Sequence, residues 1–185
     1  MIRSGVSLPV LSDGHVVLRA AEHRDLPAIE DGIHDPDVIR WIGPPEGSAH
    51  DVLVQNEERW ALGSPTLSIC EPEGSCVGKV WVNVRETDAS TGFVGYWLLP
   101  AARGRGLATR AVRLISEWAS RDLGLRTIRL TTAPDNARSQ RVAERSGFRR
   151  ISSAAGDPVE GTDRRQVVFE LDGPAVRTSG RDERT

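Results

Sequence analysis

Two short stretches of this chain carry residue types able to hold an anion and move a proton. The first reads Gly95-Tyr96-Trp97-Leu98-Leu99-Pro100-Ala101-Ala102-Arg103-Gly104-Arg105-Gly106-Leu107-Ala108-Thr109. A strand-like segment stops at Pro100, a Gly/Arg turn follows, and apolar residues at helical spacing begin at once. The first N–H groups of such a helix have no intrahelical partner and lie at the positive end of its dipole. Gly104 and Gly106 let a ligand approach that backbone without meeting a Cβ. The combination suits a phosphate or pyrophosphate. It is not a P-loop, because no Gly-Lys-Ser/Thr follows, and it lacks the full dinucleotide fingerprint with a second βαβ half.

The second stretch, Asn136-Ala137-Arg138-Ser139, places an amide and a hydroxyl three residues apart at a helix start. Ser139 can give a proton to a leaving group or serve as an ordinary polar first-turn residue. Tyr96 offers a second hydroxyl, with aromatic packing on a strand as the other reading. His15, His23, His34 and His50 have no metal spacing and no Cys partner, so no metal site is expected. Cys70 and Cys76 are too few for a disulfide framework and point to a reducing cytoplasm. They are expected as free thiols, with a facing pair across a hairpin as the alternative.

These residues need a scaffold, and local patterns supply one. Residues 16–19 form a short β-branched strand. Asp25 caps a helix to about residue 33, with Pro27 in its first turn. Asp35-Pro36-Asp37 and Gly43-Pro44-Pro45-Glu46-Gly47 read as breaks, and Ser48 opens a second helix to about Leu62. Residues 67–70 and 76–84 make a hairpin around Glu71-Pro72-Glu73-Gly74, and residues 92–98 a third strand. From 106 to 122, Leu107, Ala111, Leu114, Ile115 and Trp118 recur at helical spacing, with Glu117–Arg121 as a favourable pair. Residues 127–132 form a strand, and Pro134-Asp135-Asn136 starts a helix ending at Ser146-Gly147, where Gly147 is a left-handed cap backed by Phe148. Residues 149–153 and 164–171 are the final strands. The order predicts an α+β fold: a mixed sheet with helices on its faces, in one domain over residues 1–172, followed by a disordered tail at 173–185.

With 185 residues, 38% apolar and 27% charged, the chain is neither disordered nor collagen-like. No run approaches the ~18 apolar residues of a membrane helix, and Met1-Ile2-Arg3-Ser4-Gly5-Val6 lacks the apolar block of a secretory signal. The net charge of −2 hides a segregation. Residues 103–150 hold twelve Arg against Glu117, Asp122, Asp135 and Glu144, a net of +8, so the rest of the chain carries −10. One region could meet a polyanion and the other a cation, or the two could pair with each other.

Arg103-x-x-Gly106-x-Ala108 resembles the Q/R-x-x-G-x-G/A pyrophosphate loop of the GNAT superfamily of N-acetyltransferases. The segment from Asn136 through Ser139 to Gly147-Phe148 resembles a second hallmark of that superfamily. The branch it most resembles is that of the ribosomal-protein N-terminal alanine/serine acetyltransferases. The likeness covers about residues 76–150 and extends back towards Val16. It implies a mixed, mostly antiparallel sheet flanked by helices on both faces, with acetyl-CoA as co-substrate and no metal. It further implies that the backbone of Arg103, Gly104, Arg105, Gly106, Leu107 and Ala108 holds the pyrophosphate. Residues 93–98 would pair with the pantetheine arm, with N–H groups near Leu98 polarising the thioester carbonyl. Asn136 would bond that arm and Ser139 would lie near the sulfur.

Relatives often carry a Glu two residues before the Gly-Tyr of this strand; here the position is Phe93. Glu86, Asp88 and water chains are alternative bases, and both carboxylates also read as solvated turn residues. Trp41, His34, Asp35, Asp37 and Glu46 fall in the segment that lines the acceptor cleft of relatives, whereas Trp60, Trp81, Trp97 and Trp118 are expected in the core or an interface. The expected acceptor is a primary amine: a protein N-terminal α-amine, or a small molecule such as an antibiotic or polyamine. A non-catalytic acyl-CoA sensor is the competing reading. No stable nucleic-acid or membrane partner is expected, and the resemblance leaves room for a homodimer.

Overall fold

The computed structural model describes residues 8–45, 47–61, 64–85, 88–153, 155, 157–158 and 164–173. Glu46, Leu62, Glu86 and the tail beyond Gly173 lie outside these residues. β-Branched and apolar residues build the centre of the sheet, where β3 (Thr66–Cys70) is buried along its whole length because helices cover both of its faces. Around it run β1 (Leu11–Ser12), β2 (Val17–Arg19), β4 (Cys76–Arg85), β5 (Asp88–Leu98), β6 (Thr127–Thr132), β7 (Arg149–Arg150), β8 (Asp157–Pro158) and β9 (Arg165–Asp172). The spatial order is β1-β2-β3-β4-β5-β6-β9-β7, with β8 also paired to β9. Every pairing is antiparallel except β5 with β6. The fold is the expected α+β mixed sheet.

Helices α1 (Leu26–Ile33), α2 (Pro36–Ile42) and α3 (Ala49–Ala61) precede β3; α4 (Leu107–Asp122) and α5 (Ala137–Arg145) flank β6. Three helices therefore stand where two were expected. Asp35-Pro36-Asp37 starts a helix instead of only breaking one: Asp35 accepts a hydrogen bond from Val38 N–H at 3.1 Å and Pro36 takes the first helical position, where no N–H is needed. The last strands also differ. Only Arg149 and Arg150 pair as β7, while β9 runs to Asp172. Arg121 pairs with Asp122 at 2.8 Å in place of Glu117.

The two sheet faces differ in chemistry. Leu18, Leu67, Ile69, Val80, Val82 and Val94 pack with the apolar side of α4 into the main core. Strand alternation places Arg19, Ser68 and Lys79 on the opposite face, in cross-strand register with one another. There Arg19 forks onto Asp25 at 2.7 and 2.9 Å, and Ser68 Oγ donates to the same carboxylate at 3.2 Å. A small apolar cluster of Ile29, Ile33 and Ala49 holds α1 against α3 beside this polar layer.

Candidate active site

The site begins where two parallel strands part. β5 and β6 are partnered only from Thr91/Thr127 to Phe93/Arg129. Beyond Phe93, β5 stays with β4 while β6 stays with β9, and a cleft of about 1220 Å³ opens between them. Leu98 lies at its far end. Its carbonyl accepts a hydrogen bond from Arg103 Nε at 3.0 Å, whereas Leu99 N–H turns to Val77 on β4. A strand residue directs its N–H and C=O to the same side, so Leu98 N–H faces the cleft.

The chain then makes a 3₁₀ turn over Pro100–Ala102 and reaches Gly104 and Gly106, at φ 75° and 82°. Any L side chain is strained in this left-handed region, and no heavy atom lies within 4 Å of where a Cβ would stand at either position. Gly106 is the N-cap of α4 and brings no capping side chain. The first N–H groups of a 16-residue helix therefore open beside the cleft, which Gly104, Gly106, Ala108 and Thr109 help to line.

Across the gap, Asn136 caps α5 by accepting from Ser139 N–H at 3.1 Å, which leaves its amide NH₂ uncommitted to the cap. Ser139 lies in the first turn with its hydroxyl near that of Tyr96, close enough to bear on the phenol's titration. Burial raises the Tyr96 pKa, so both hydroxyls keep their protons at neutral pH. The two candidate proton donors, 43 residues apart in sequence, thus meet at the parting of the strands.

The remaining wall is α2, the helix absent from the sequence reading. Arg103 grips its start, with Nη1 to Asp37 at 2.9 Å and Nη2 to Asp35 at 2.5 Å. Burial works against the Asp35 charge, but Arg103 and the Val38 N–H outweigh it and hold the carboxyl below its ordinary range. Arg40 stacks on Trp41 at 4.5 Å and reaches Asp135 at 3.1 Å, which ties α2 to the turn before α5. Arg105 pairs with Glu71 and Arg110 with Asp13. Much of the positive region is thus neutralised by the chain's own acids, the less specific of the two readings of its charge.

Among the described lining residues, the carboxylates are Asp37 and Asp135, and both are paired with arginine. No described histidine lines the cleft. Asp35 is turned to Arg103, His34 bonds Glu30, and Asp88 lies at the start of β5 with Ser90, away from the opening. Trp41 and Asp37 do line it. Trp60 and Trp118 stack on each other with centroids 6.0 Å apart, as expected of core residues. Trp81 departs from that expectation: it lines the cleft and lies over Gly95, where an added Cβ would come within 2.4 Å of its ring. The Trp81/Gly95 pairing was the signal for this, but it requires the β4–β5 register. Asn83 and Thr131 also line the cleft without having been singled out in the sequence.

The model of an acetyltransferase (GNAT) domain matches residues 15–149. The chain belongs to the GNAT family. The Bacillus subtilis protein named probable N-acetyltransferase YjcK is 43% identical to this GNAT chain over 58 residues, 31% of this chain and 32% of YjcK. The chain thus matches less than two thirds of the length of the curated relatives. Solved structures superpose over nearly their whole length. The ribosomal-protein-S5-alanine acetyltransferase from Vibrio fischeri gives a TM-score of 0.72 at 20% identity, covering 90% of this chain and 98% of that one. The spermidine N-acetyltransferase from Vibrio cholerae, solved with CoA and spermine, gives 0.71 at 18%, covering 87% and 97%. At these identities the likeness concerns the fold. No described helix of this GNAT domain is long and apolar enough to cross a membrane.

Proposed function

We infer that this chain transfers an acetyl group from acetyl-CoA to a primary amine, and that the amine is the N-terminal α-amine of a peptide or protein. The meeting of Tyr96 and Ser139 where β5 and β6 separate, one strand-length from the uncapped start of α4, carries the reading. A thioester-bearing arm laid along residues 94–98 would take the place of the missing strand neighbour. Backbone N–H groups over Arg103, Gly104, Arg105, Gly106, Leu107 and Ala108 would hold the pyrophosphate. Asn136 would donate its amide to the arm.

The amine nitrogen attacks the carbonyl carbon, polarised by Leu98 N–H, and the C–S bond breaks. One proton passes from the new C–N centre to water, while the Ser139 hydroxyl, with Tyr96 beside it, gives one to the departing sulfur and is reprotonated from solvent. With Phe93 on β5 and Asp37 and Asp135 ion-paired, the described residues supply the cleft with no dedicated carboxylate base. That favours an acceptor already partly neutral. An α-amine of pKa ~7.8 is about a tenth neutral at pH 7, whereas a lysine-like amine of ~10.4 is under about 0.1% neutral.

Thiol release from acetyl-CoA, followed with Ala- and Ser-starting peptides, polyamines and aminoglycosides, tests the proposal. Turnover with the peptides is expected. Turnover confined to polyamines would instead align the chain with its spermidine-acetylating structural neighbour. Acetyl-CoA binding without release on any amine would favour the sensor reading.

A further inference from the structure

Behind the phosphate loop, on the polar face of the sheet, the acetyl-transfer chemistry leaves three groups unused: Cys70, Cys76 and Lys79. Cys70 at the end of β3 and Cys76 at the start of β4 are cross-strand partners, with a register shift beside them. Both thiols are free, Cys70 buried and Cys76 half-buried. Their sulfurs and a carboxylate oxygen of Asp25 all lie within 4.8 Å of one another.

This triplet has the composition of a metal site, but its electrostatics oppose one. Asp25 Oδ2 already accepts from Arg19 Nη1, Glu22 N–H and Ser68 Oγ, and Oδ1 accepts from Arg19 Nη2. A cation would have to displace the Arg19 fork and enter beside a second positive group, Lys79. The same positive surroundings favour a thiolate. Lys79 is the chain's single lysine, 2% exposed, and its ammonium has no hydrogen-bond partner among the described residues. Cys76 and Asp25 are the anionic groups that bear on it, and Arg59 opposes them. Cys76 Sγ donates to the Gly78 carbonyl at 3.6 Å, and the neighbouring Cys70 thiol holds the Cys76 thiol below the usual range against the effect of burial.

We propose that Cys76 and Cys70 are a hydroperoxide-responsive dithiol that closes to an intramolecular disulfide across the β3–β4 hairpin. Facing residues in antiparallel strands have Cα atoms about 4.5–5.5 Å apart, inside the roughly 4.4–6.8 Å range of disulfides. The half-buried Cys76 thiolate attacks one peroxide oxygen and the O–O bond breaks. The hydroxide released takes a proton and leaves as water, giving a sulfenic acid. The Cys70 sulfur then attacks the Cys76 sulfur and loses its proton, while the S–O bond breaks and a second water departs. Two thiols are oxidised by two electrons, and the peroxide is reduced to two waters. The site is separate from the acetyl-transfer reading and stands or falls without it.

The test uses the full chain and hydrogen peroxide in roughly tenfold excess at about pH 7, followed by alkylation and intact-mass measurement. The wild type should lose about 2 Da, resist alkylation at both cysteines, and regain both thiols on reduction. Cys70→Ser should stop at a sulfenic acid that dimedone traps, and Cys76→Ser should keep its remaining thiol. Lys79→Met should slow the reaction several-fold, because it removes the cation beside the thiolate. If a cysteine variant fails to fold, peptide mapping of the oxidised wild type decides alone, through a Cys70–Cys76-linked peptide. Two alkylatable thiols after peroxide, or cross-links between chains in place of the internal one, would overturn the proposal.

Discussion

Lys79→Met should stabilise the protein at neutral pH, and the gain should shrink as the solution is made alkaline. The side chain sits within β4 with 2% of its surface exposed and no hydrogen-bond partner for its ammonium among the described residues. Burial is the main cause that pushes its pKa from 10.5 down to about 8, and the charges of Cys76 and Asp25 only partly offset this. In the unfolded chain the amine keeps its proton to the higher value. Between pH 8 and 10.5 the unfolded state therefore binds more protons, and native stability rises with pH. Below pH 8 both states are protonated and the native state bears the full cost of the buried charge. The interval from 10.5 to 8, at about 1.4 kcal/mol per pH unit, corresponds to about 3 kcal/mol. Methionine fills similar volume without charge. With a urea slope of about 2 kcal/mol/M, the midpoint should rise by about 1.5 M at pH 7. Paired urea titrations of wild type and variant from pH 7 to 10 check this, since groups common to both cancel in the difference. A variant less stable than wild type, or a stability gap that stays constant with pH, would refute the reasoning.

Three other expectations concern the cleft and its support. Ser139→Ala should lower turnover on the order of a hundredfold, and Tyr96→Phe on the order of tenfold, with acetyl-CoA affinity by calorimetry nearly unchanged. Gly106→Ala meets no atom but forces a Cβ into φ 82°, so acetyl-CoA affinity should fall by about tenfold while circular dichroism stays native. Asp25→Asn removes one half of a buried fork and should cost about 3–5 kcal/mol in denaturant titrations. Burial acts against the Asp25 charge, but Arg19 and its other donors prevail and hold its pKa below 3.8. Its contribution is therefore present above that value and lost as pH falls through the lower folded one, and the acid transition of the Asn variant should differ from that of the wild type.

What could be read from the sequence was what local spacing controls. The helical recurrence from Leu107 to Trp118, the Gly104/Gly106 turn and the helix start after Pro134-Asp135-Asn136 are each set within a few residues and reappear in the structure. The helix at Pro36–Ile42 was missed because Asp-Pro serves equally as a breaker and as an N-terminus, and only burial of Val38 against the fold favours the second. The role of the Arg103 side chain was out of reach, since its partners Asp35 and Asp37 lie 68 and 66 residues earlier. The polar layer of Arg19, Asp25, Ser68 and Lys79 depends on strand register, which alternation alone does not fix.

The parting of β5 and β6 also bears on how the protein behaves in a tube. Residues 94–98 are paired to β4 on one side and, among the described residues, to no strand on the other. An open strand edge is a template for any extended chain, including a partly unfolded copy of the same protein. Here the edge lies within the cleft, with Trp81 in its lining and the Arg40–Asp135 pair joining α2 to the turn before α5. A ligand that fills the cleft contributes stability through mass action, about 2.7 kcal/mol at a hundred times its dissociation constant. Yield on expression, shelf life and resistance to clumping should then follow the supply of CoA in the cell and in the storage buffer.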